Sequence, residues 1–283
     1  MMLLEGKSVA NQIKIEVAQR AQTFLENYGR KPRLDVIVVG EDPASHVYVK
    51  SKAKNSHAAG IESRIHELSG NTTEIDLTKK LTEVNSNPLV DGVLLQLPLP
   101  SHLNVANLIN LIDPSKDVDA LTVYSSGLIY SDQAWVYPCT PWGIVRILRH
   151  YGIVFESRKA VVIGRSQIVG KPMAQLLLKE NMTVTVAHSK TLNLQKITRE
   201  ADLVVVAAGK PRQFGADFFS SSCVVIDVGI HGSGQGKGIC GDVDFESVQG
   251  RVAALTPVPG GVGPVTIACL LENTMILAEK RCL

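Results

Sequence analysis

Several polar side chains in the first half of the sequence could act together on a substrate. The segment EDPASHVYVKSKAKNSHAAG has a helical pattern, and on it Tyr48 and Lys52 are four residues apart and share a face. The apolar strand GVLLQLPLP contains Gln96, whose buried amide needs hydrogen-bond partners or costs about 1–3 kcal/mol. Open α/β sheets bind ligands at the carboxyl ends of their strands, so Lys52 is a suitable partner if its helix lines that end.

Two carboxylates follow in the segment DPSKDVDA, where Asp117 and Asp119 are predicted to lie in a loop. Each of these polar residues also has an ordinary explanation. A solvated lysine beside a half-buried tyrosine is common on helices, and a solvated acidic loop is equally common. Position alone does not decide between these interpretations.

A second candidate site begins at the sequence AVVIGRSQIVGKP, which predicts a strand, a glycine-rich turn and a helix. Gly164 permits a tight turn, and Ser166 is small enough for close approach of the backbone. The amides at the start of the following helix favour an anion, as in a Rossmann phosphate loop. The match to GxGxxG is imperfect, because a serine occupies the middle position and one extra residue precedes Gly170.

The end of the next strand indicates which dinucleotide is bound. An NAD site places Asp or Glu about 20 residues after the turn, whereas this strand ends in His188, Ser189 and Lys190. With Arg165 in the turn, a guanidinium and the Ser189 hydroxyl are placed to bind a 2′-phosphate, which favours NADP. A solvated surface arginine and an ordinary turn form the alternative. Later strands end in glycine, and we expect the nicotinamide near Gly229 and Ile230.

Short apolar runs alternate with helical patterns, which predicts βαβ units and mostly parallel sheets. The predicted strands are Leu34–Val39, Ser63–Leu68, Gly92–Leu97, Ala160–Gly164, Thr183–Ala187, Leu203–Ala207, Val224–Val228 and the weaker Val252–Leu255. The main predicted helices are Pro43–Ala59, Thr73–Asn85, Pro141–Tyr151, Lys171–Glu180 and Pro264–Lys280.

This pattern predicts an α/β protein with two three-layer α/β domains around a cleft. The catalytic domain comprises residues 1–121 and 265–283, and a Rossmann-type dinucleotide-binding domain comprises residues 139–264. The boundary is placed in the least patterned stretch, Thr122–Pro138. The loop TPVPGGVGP is rich enough in glycine and proline to return the last helix to the first domain.

The composition restricts the class of protein. The chain has 283 residues, is 45% hydrophobic and carries a formal charge of +2 without a polybasic block, which disfavours binding to nucleic acid or membrane surfaces. Five scattered cysteines without a CxxC pair indicate reduced thiols, interpreted mainly as small core residues. The seven histidines form no HExxH pair, so no protein-held metal is expected. We expect a soluble cytoplasmic protein.

The chain closely resembles the bifunctional methylenetetrahydrofolate dehydrogenase/cyclohydrolase family over nearly its full length. The matching segments occur in order: VGEDPASHVYVKSKAK, GVLLQLPLP, DPSKDVDALT, YPCTPWGI, VVIGRSQIVGKPMAQLL, VTVAHSKT, ADLVVVAAGKP, VIDVGIH, GDVDF and LTPVPGGVGPVTIACLLENT. The resemblance implies oxidation of 5,10-methylenetetrahydrofolate with NADP, followed by hydrolysis of the methenyl product to 10-formyltetrahydrofolate. It makes tetrahydrofolate derivatives the ligands and a homodimer the expected assembly.

The resemblance also implies roles for individual residues. Lys52 is the key hydrolytic group, hydrogen-bonded to Gln96; Tyr48 stacks on the folate; and Asp119 accepts hydrogen bonds from the pterin. Further folate contacts are expected from Leu97, Pro259, Gly260 and Gly261. The NADP site is expected at Gly164, Arg165, Ser166, Gly170, Ser189 and Ile230.

Three departures from the family pattern bear on the folate pocket. Ala120 stands where the family commonly has glycine, TVYSSG replaces a stretch that usually contains histidine and asparagine, and Trp142 is bulky for its loop. One alternative is an amino-acid or shikimate-type dehydrogenase, which does not account for Gln96 or PGGVGP. Another is a non-catalytic NADP-sensing or scaffold protein, which would not need Tyr48, Lys52, Gln96 and Asp119 together.

Overall fold

Two main parallel sheets organise the chain, each in its own compact unit. The computed structural model describes residues 1–232 and 238–282, without side-chain detail for 43–47. One unit comprises Asn11–Cys139 and Ile267–Leu283 and contains a three-stranded sheet. The other comprises Met1–Ala10 and Thr140–Thr266 and contains a six-stranded sheet. We call them the three-stranded unit and the six-stranded unit.

Strands and helices alternate along most of the chain, as the sequence predicts. In chain order the elements are β1 (Met2–Leu3), α1 (Gly6–Tyr28), β2 (Arg33–Val39), α2 (Pro43–Ala58), β3 (Glu62–Leu68), α3 (Glu74–Ser86), β4 (Gly92–Leu95), α4 (Val105–Ile109), α5 (Val123–Tyr130), α6 (Cys139–His150), β5 (Lys159–Ile163), α7 (Gly170–Lys179), β6 (Thr183–Ala187), α8 (Leu194–Arg199), β7 (Leu203–Val206), β8 (Val224–Asp227), β9 (His231–Gly232), β10 (Ile239–Cys240), α9 (Phe245–Val248), β11 (Ala254–Leu255) and α10 (Val262–Lys280).

The sheet of the three-stranded unit has the order β3-β2-β4, with both pairings parallel. The central strand β2 is buried at every position, as its apolar residue Leu34 and its apolar run 36–39 predict. Its two charged residues are buried as an ion pair, with 2.6 Å between Arg33 Nε and Asp35 Oδ1. On one face the sheet packs against α3, which buries Leu77, Leu81 and Val84. The chain goes from β2 to β3 on one side and then crosses to β4 on the other. This reversal creates a ligand-binding switch point at the carboxyl ends of β2 and β4.

The sheet of the six-stranded unit has the order β1-β11-β8-β7-β5-β6, and all its pairings are parallel. Its core is built largely from β-branched strand residues such as Val161, Val204 and Val225. The strand order reverses between β5 and β7, because β5 pairs with β6 on one side and with β7 on the other. A dinucleotide is expected at the carboxyl ends of these two strands.

The unit boundaries differ from the sequence prediction at two places. Residues 1–10 belong to the six-stranded unit, because β1 pairs with β11 through Met2↔Ala254. A two-residue strand is too short to leave an alternating pattern. The stretch predicted to be the boundary contains α5 and lies within the three-stranded unit. There Thr122 caps the helix by accepting a hydrogen bond from the Ser125 amide at 3.1 Å.

One helix, α10, is long and apolar enough to cross a membrane by length and composition, and 67% of its most apolar window is buried inside the protein. Burial of this kind is typical of a core helix. Within the described ranges, no group of three or more His, Cys, Asp or Glu side chains is placed to hold a metal ion. The five cysteines, all within the described residues, form no disulfide, and four of them are buried.

Candidate active site and cofactor turn

Lys52 and Gln96 form a buried hydrogen-bonded pair in the three-stranded unit. Gln96 directly follows β4, and its amide donates to the carbonyl of Ile37 at 2.8 Å. Lys52 Nζ donates to Gln96 Oε1 at 2.9 Å, and Gln96 Nε2 donates to the carbonyl of Leu97 at 2.6 Å. The two side chains retain only 6% and 8% exposure. The buried amide therefore has the lysine partner that the sequence suggests.

The surroundings of Lys52 favour its neutral form more than water does. Burial lowers the pKa of Lys52, and the nearby Asp119 carboxylate opposes this shift. The ammonium lies over the ring of Tyr48, with 4.8 Å between Nζ and the ring centroid. Burial is the main cause, and the Asp119 carboxylate the second, of a rise in the pKa of Tyr48 to about 12. The phenol therefore stays neutral at neutral pH.

Asp119 reaches this cluster because its loop runs alongside β4. Val93 donates to the carbonyl of Lys116 at 2.8 Å, and Val93 and Asp117 form a parallel bridge. The chain then runs towards the same end of the sheet as Gln96. Burial raises the pKa of Asp119, and Lys52 opposes this shift. Asp119 therefore places a carboxylate near Lys52 that can accept hydrogen bonds from a ligand.

Asp117, the other carboxylate of the loop, has a structural role. It accepts hydrogen bonds from the Thr122 amide at 2.9 Å and from Ser125 Oγ at 2.7 Å, and it is buried. These bonds hold the turn that leads into α5. Ala120 has a left-handed backbone with φ of 51°, a conformation that glycine adopts more readily. Ala120 therefore occupies a position where glycine would fit with less backbone strain.

Two residues of this cluster were missed by sequence reasoning. Cys139, which the sequence suggested to be a small core residue, hydrogen-bonds Asp119, and burial raises the pKa of its thiol well above the usual value. Asn273 donates to the carbonyls of Val118 and Tyr137, at 2.8 Å each. A buried amide in the apolar helix α10 is the same signal that identified Gln96. Asn273 holds the Asp119 loop against this helix.

The predicted phosphate turn follows β5 in the six-stranded unit. Gly164 has φ of +133°, and a Cβ atom there would lie 2.3 Å from the carbonyl oxygen of Ala207. A Cβ atom on Gly170 would lie 2.3 Å from the carbonyl oxygen of Gly164. Only glycine fits at these positions, and residues 165–168 remain exposed. This tight turn at the switch point between β5 and β7 fits a dinucleotide.

Ser166 also has a local hydrogen-bonding role that the sequence did not indicate. Its hydroxyl accepts hydrogen bonds from the amides of Val169 at 3.2 Å and Gly170 at 3.3 Å, and its carbonyl accepts from Lys171 at 3.1 Å. These amides at the start of α7 were expected to face an anion, but Ser166 satisfies them because its side chain folds back over the helix start. Ser166 thus stabilises the turn itself.

The other residues predicted to bind the cofactor are exposed in the six-stranded unit. Arg165 lies in the turn, Ser189 follows β6, and Ile230 follows β8 with 56% exposure. Pro259 and Gly260, predicted to contact the substrate, also belong to this unit, and the Gly260 carbonyl accepts from Gly6 at 2.8 Å. Gly261 packs so tightly that a Cβ would lie 2.5 Å from the carbonyl oxygen of Pro257.

The fold and the two sites define a class of protein: a two-unit α/β enzyme with a dinucleotide-binding Rossmann sheet and a buried lysine site at the end of a second parallel sheet. Comparison with known proteins identifies the family. Residues 4–119 match the tetrahydrofolate dehydrogenase/cyclohydrolase catalytic domain, and residues 138–282 match the NAD(P)-binding domain of the same family.

Full-length relatives agree with these domain matches. The bifunctional protein FolD of Bdellovibrio bacteriovorus is 51% identical, over 99% of this chain and 98% of its own length. The crystal structure of the bifunctional enzyme FolD from Campylobacter jejuni has a TM-score of 0.95 at 44% identity, with 99% of each chain covered. The Trypanosoma brucei FolD enzyme, complexed with NADP cofactor and inhibitor, has a TM-score of 0.94 at 34% identity and covers 99% of this chain and 98% of its own.

The chain belongs to the tetrahydrofolate dehydrogenase/cyclohydrolase family. It is an NADP-dependent methylenetetrahydrofolate dehydrogenase and a methenyltetrahydrofolate cyclohydrolase. The resemblance seen in the sequence is confirmed, and the shikimate-type and non-catalytic alternatives are set aside.

Proposed function

We propose that Tyr48, Lys52, Gln96 and Asp119 form the site that binds the folate and hydrolyses its methenyl form. The single observation that carries the proposal is the buried 2.9 Å bond between Lys52 and Gln96 in contact range of the Tyr48 ring. Burial of Lys52 lowers its pKa, and removing an amine from water costs free energy that a purely structural apolar residue would not incur. The retention of Lys52 in this site is explained by proton transfer.

In the hydrolytic step, neutral Lys52 accepts a proton as water adds to the cationic methenyl carbon. The C–N5 bond then breaks, N5 gains a proton, and 10-formyltetrahydrofolate forms with net release of one proton. Gln96 orients the amine through its Oε1 atom. Asp119 accepts hydrogen bonds from the pterin N–H groups, and Tyr48 stacks on the folate ring.

Hydride transfer makes different demands on the protein. When bound, NADP accepts the hydride. The nitrogen lone pair of the substrate drives the hydride out, so orientation of the folate is the main contribution of the side chains. We therefore expect dehydrogenase activity to depend less on Lys52 than hydrolysis does.

The NADP site is proposed at Gly164, Arg165, Ser166, Gly170, Ser189 and Ile230. The glycines keep the turn tight, and its exposed residues 165–168 are proposed to face the pyrophosphate, because the amides of Val169, Gly170 and Lys171 already bond Ser166. Arg165 and Ser189 are exposed and are proposed to bind the 2′-phosphate. The folate contacts of Leu97, Pro259, Gly260 and Gly261 are part of the same proposal.

The assembly is proposed to be a homodimer, and the compartment the cytoplasm. Strand β6 is an edge of the six-stranded sheet, and its Val186 is 41% exposed, which supports pairing with a second copy. Sedimentation that gives only monomer at micromolar concentration would refute the dimer. The absence of a disulfide among the five described cysteines supports a reducing compartment.

Substitution of Lys52 by methionine tests the proposed site. Methionine has similar volume and no titratable group, so the variant should fold while hydrolysis of supplied methenyltetrahydrofolate is abolished. A matched control is Lys50→Met, because Lys50 lies on the same helix and is exposed. Normal hydrolysis by the Lys52 variant would remove this lysine from the mechanism.

A further inference from the structure

Two carboxylates are buried in the six-stranded unit without any assigned role. Asp227 ends β8 and is 3% exposed, and Asp242 follows β10 and is fully buried. Burying a charge is unfavourable unless the charge is well hydrogen-bonded. Both side chains meet this condition mainly through backbone N–H groups of loops that are distant in sequence.

Asp242 gathers the residues that follow β7. Its Oδ2 accepts the amides of Ala208 at 2.7 Å and Gly209 at 2.9 Å, and its Oδ1 accepts that of Lys210 at 2.8 Å. The same Oδ1 lies 2.7 Å from Nε2 of His231, in the segment after β8. One carboxylate therefore joins the segments that follow two neighbouring strands.

Asp227 fixes Asp242 in turn. Its Oδ1 accepts the amides of Gly229 at 2.9 Å and Asp242 at 3.0 Å, and its Oδ2 accepts that of Val243 at 2.9 Å. Burial raises the pKa of Asp227 to about 6, so the group is ionised at neutral pH and its hydrogen bonds are charge-assisted.

Two glycines confirm how closely these groups pack. A Cβ atom on Gly241 would lie 1.8 Å from Asp227 Oδ2, and one on Gly229 would lie 2.4 Å from the Asp242 amide nitrogen. The loops cannot take these positions with larger residues. The segments 207–210 and 228–231 are thus held as one rigid edge at the carboxyl ends of β7 and β8.

We propose that Asp242, supported by Asp227, is a positioning residue for NADP: it sets the shape of the strand-end segments 207–210 and 228–231 against which the cofactor binds. The inference rests on the proposed cofactor site, because Gly164 of the phosphate turn packs against Ala207 and the exposed Ile230 lies in the second segment. A ligand that spans neighbouring strand ends needs both segments at a constant separation.

Substitution of Asp242 by asparagine tests the proposal, because asparagine keeps the size but replaces one acceptor oxygen with a donor facing N–H groups. We expect the Kd for NADP, measured by calorimetry, to rise at least about tenfold, which corresponds to about 1.4 kcal/mol. Amide exchange at residues 208–210, measured without cofactor, should accelerate. Hydrolysis of supplied methenyltetrahydrofolate should stay within about twofold of wild type. Asp244→Asn is the matched control, because the Asp244 side chain caps no amide at the start of α9.

The outcomes separate this proposal from the proposed cofactor site. An unchanged Kd for NADP together with unchanged exchange at 208–210 in Asp242→Asn would overturn the positioning role. If the wild-type protein binds no NADP while amide exchange at 208–210 is still faster in Asp242→Asn, only the proposed cofactor site is overturned. If Asp242→Asn does not fold, His231→Ala removes one of the four partners of the carboxylate, and an unchanged Kd with unchanged exchange in that variant overturns the role.

Discussion

Replacement of Gln96 by glutamate should move the pH dependence of hydrolysis while keeping the size of the side chain. Gln96 Oε1 lies 2.9 Å from Lys52 Nζ, so the new carboxylate would sit directly against the amine. An opposite charge at this distance changes a pKa by about 1–3. The pKa of Lys52, which burial lowers, would rise by that amount.

The size of the kinetic effect follows from the fraction of neutral amine. At a pH below the wild-type pKa of the amine, raising that pKa by one reduces the neutral form tenfold, so in that pH range hydrolysis should fall about 10–1000-fold. The rate should recover as the pH rises through the new pKa. The variant also loses the bond from Nε2 to the Leu97 carbonyl, which should lower the free energy of unfolding by about 1 kcal/mol.

The assay is the pH profile of kcat/KM for methenyltetrahydrofolate, compared among wild type, Gln96→Glu and Gln96→Met. Methionine removes the acceptor without adding charge, so its profile should not move to higher pH. Dehydrogenase activity should change less than hydrolysis in both variants. A Gln96→Glu profile that coincides with that of wild type would show that the amine of Lys52 does not transfer the proton.

Three further predictions concern separate parts of the molecule. Asp119→Asn should raise the KM for folate at least about tenfold, because the amide presents a donor to the N–H groups of the pterin. An unchanged KM in steady-state assays would exclude Asp119 as the group that binds the pterin. Wild type should prefer NADP to NAD by at least about tenfold, and Arg165→Ala should abolish this preference; equal efficiency of both cofactors in wild type would contradict the 2′-phosphate assignment. Burial lowers the pKa of Lys116 to about 8. Between about pH 8 and 10.5 the unfolded chain therefore holds a proton that the folded chain has released, so this group makes the protein more stable as the pH rises. The free energy of unfolding, measured with urea, should show this rise with pH in wild type but not in Lys116→Met. An identical dependence of that free energy on pH in the two proteins would contradict the lowered pKa.

Most of the fold could be predicted because its signals are local. Strand β2 and strand β5 contain the apolar runs 36–39 and 160–163. The glycines of the turn after β5 indicate a tight turn in the sequence itself. The pairing of Lys52 with Gln96 was also predictable, since a lone amide in an apolar strand needs a partner at the ligand-binding end of the sheet.

The remainder depends on partners that are distant in sequence. Asn273 reaches carbonyls more than 130 positions away, and the amides bound by Asp242 lie more than 30 positions before it. Contacts between residues so far apart leave no periodic pattern in the sequence. The short strand β1 and the capped helix α5 were missed for a different reason: each is too brief to establish a hydrophobic period.

One chain carries out both folate reactions, with NADP as oxidant. The most direct test mixes the wild-type protein with methylenetetrahydrofolate and either NADP or NAD, and follows the absorbance of methenyltetrahydrofolate together with that of the reduced cofactor. The expected result with NADP is formation of NADPH, a transient rise of the methenyl absorbance and its decay as 10-formyltetrahydrofolate forms. Absence of both NADPH and the methenyl signal, or a methenyl signal that never decays, would contradict the account.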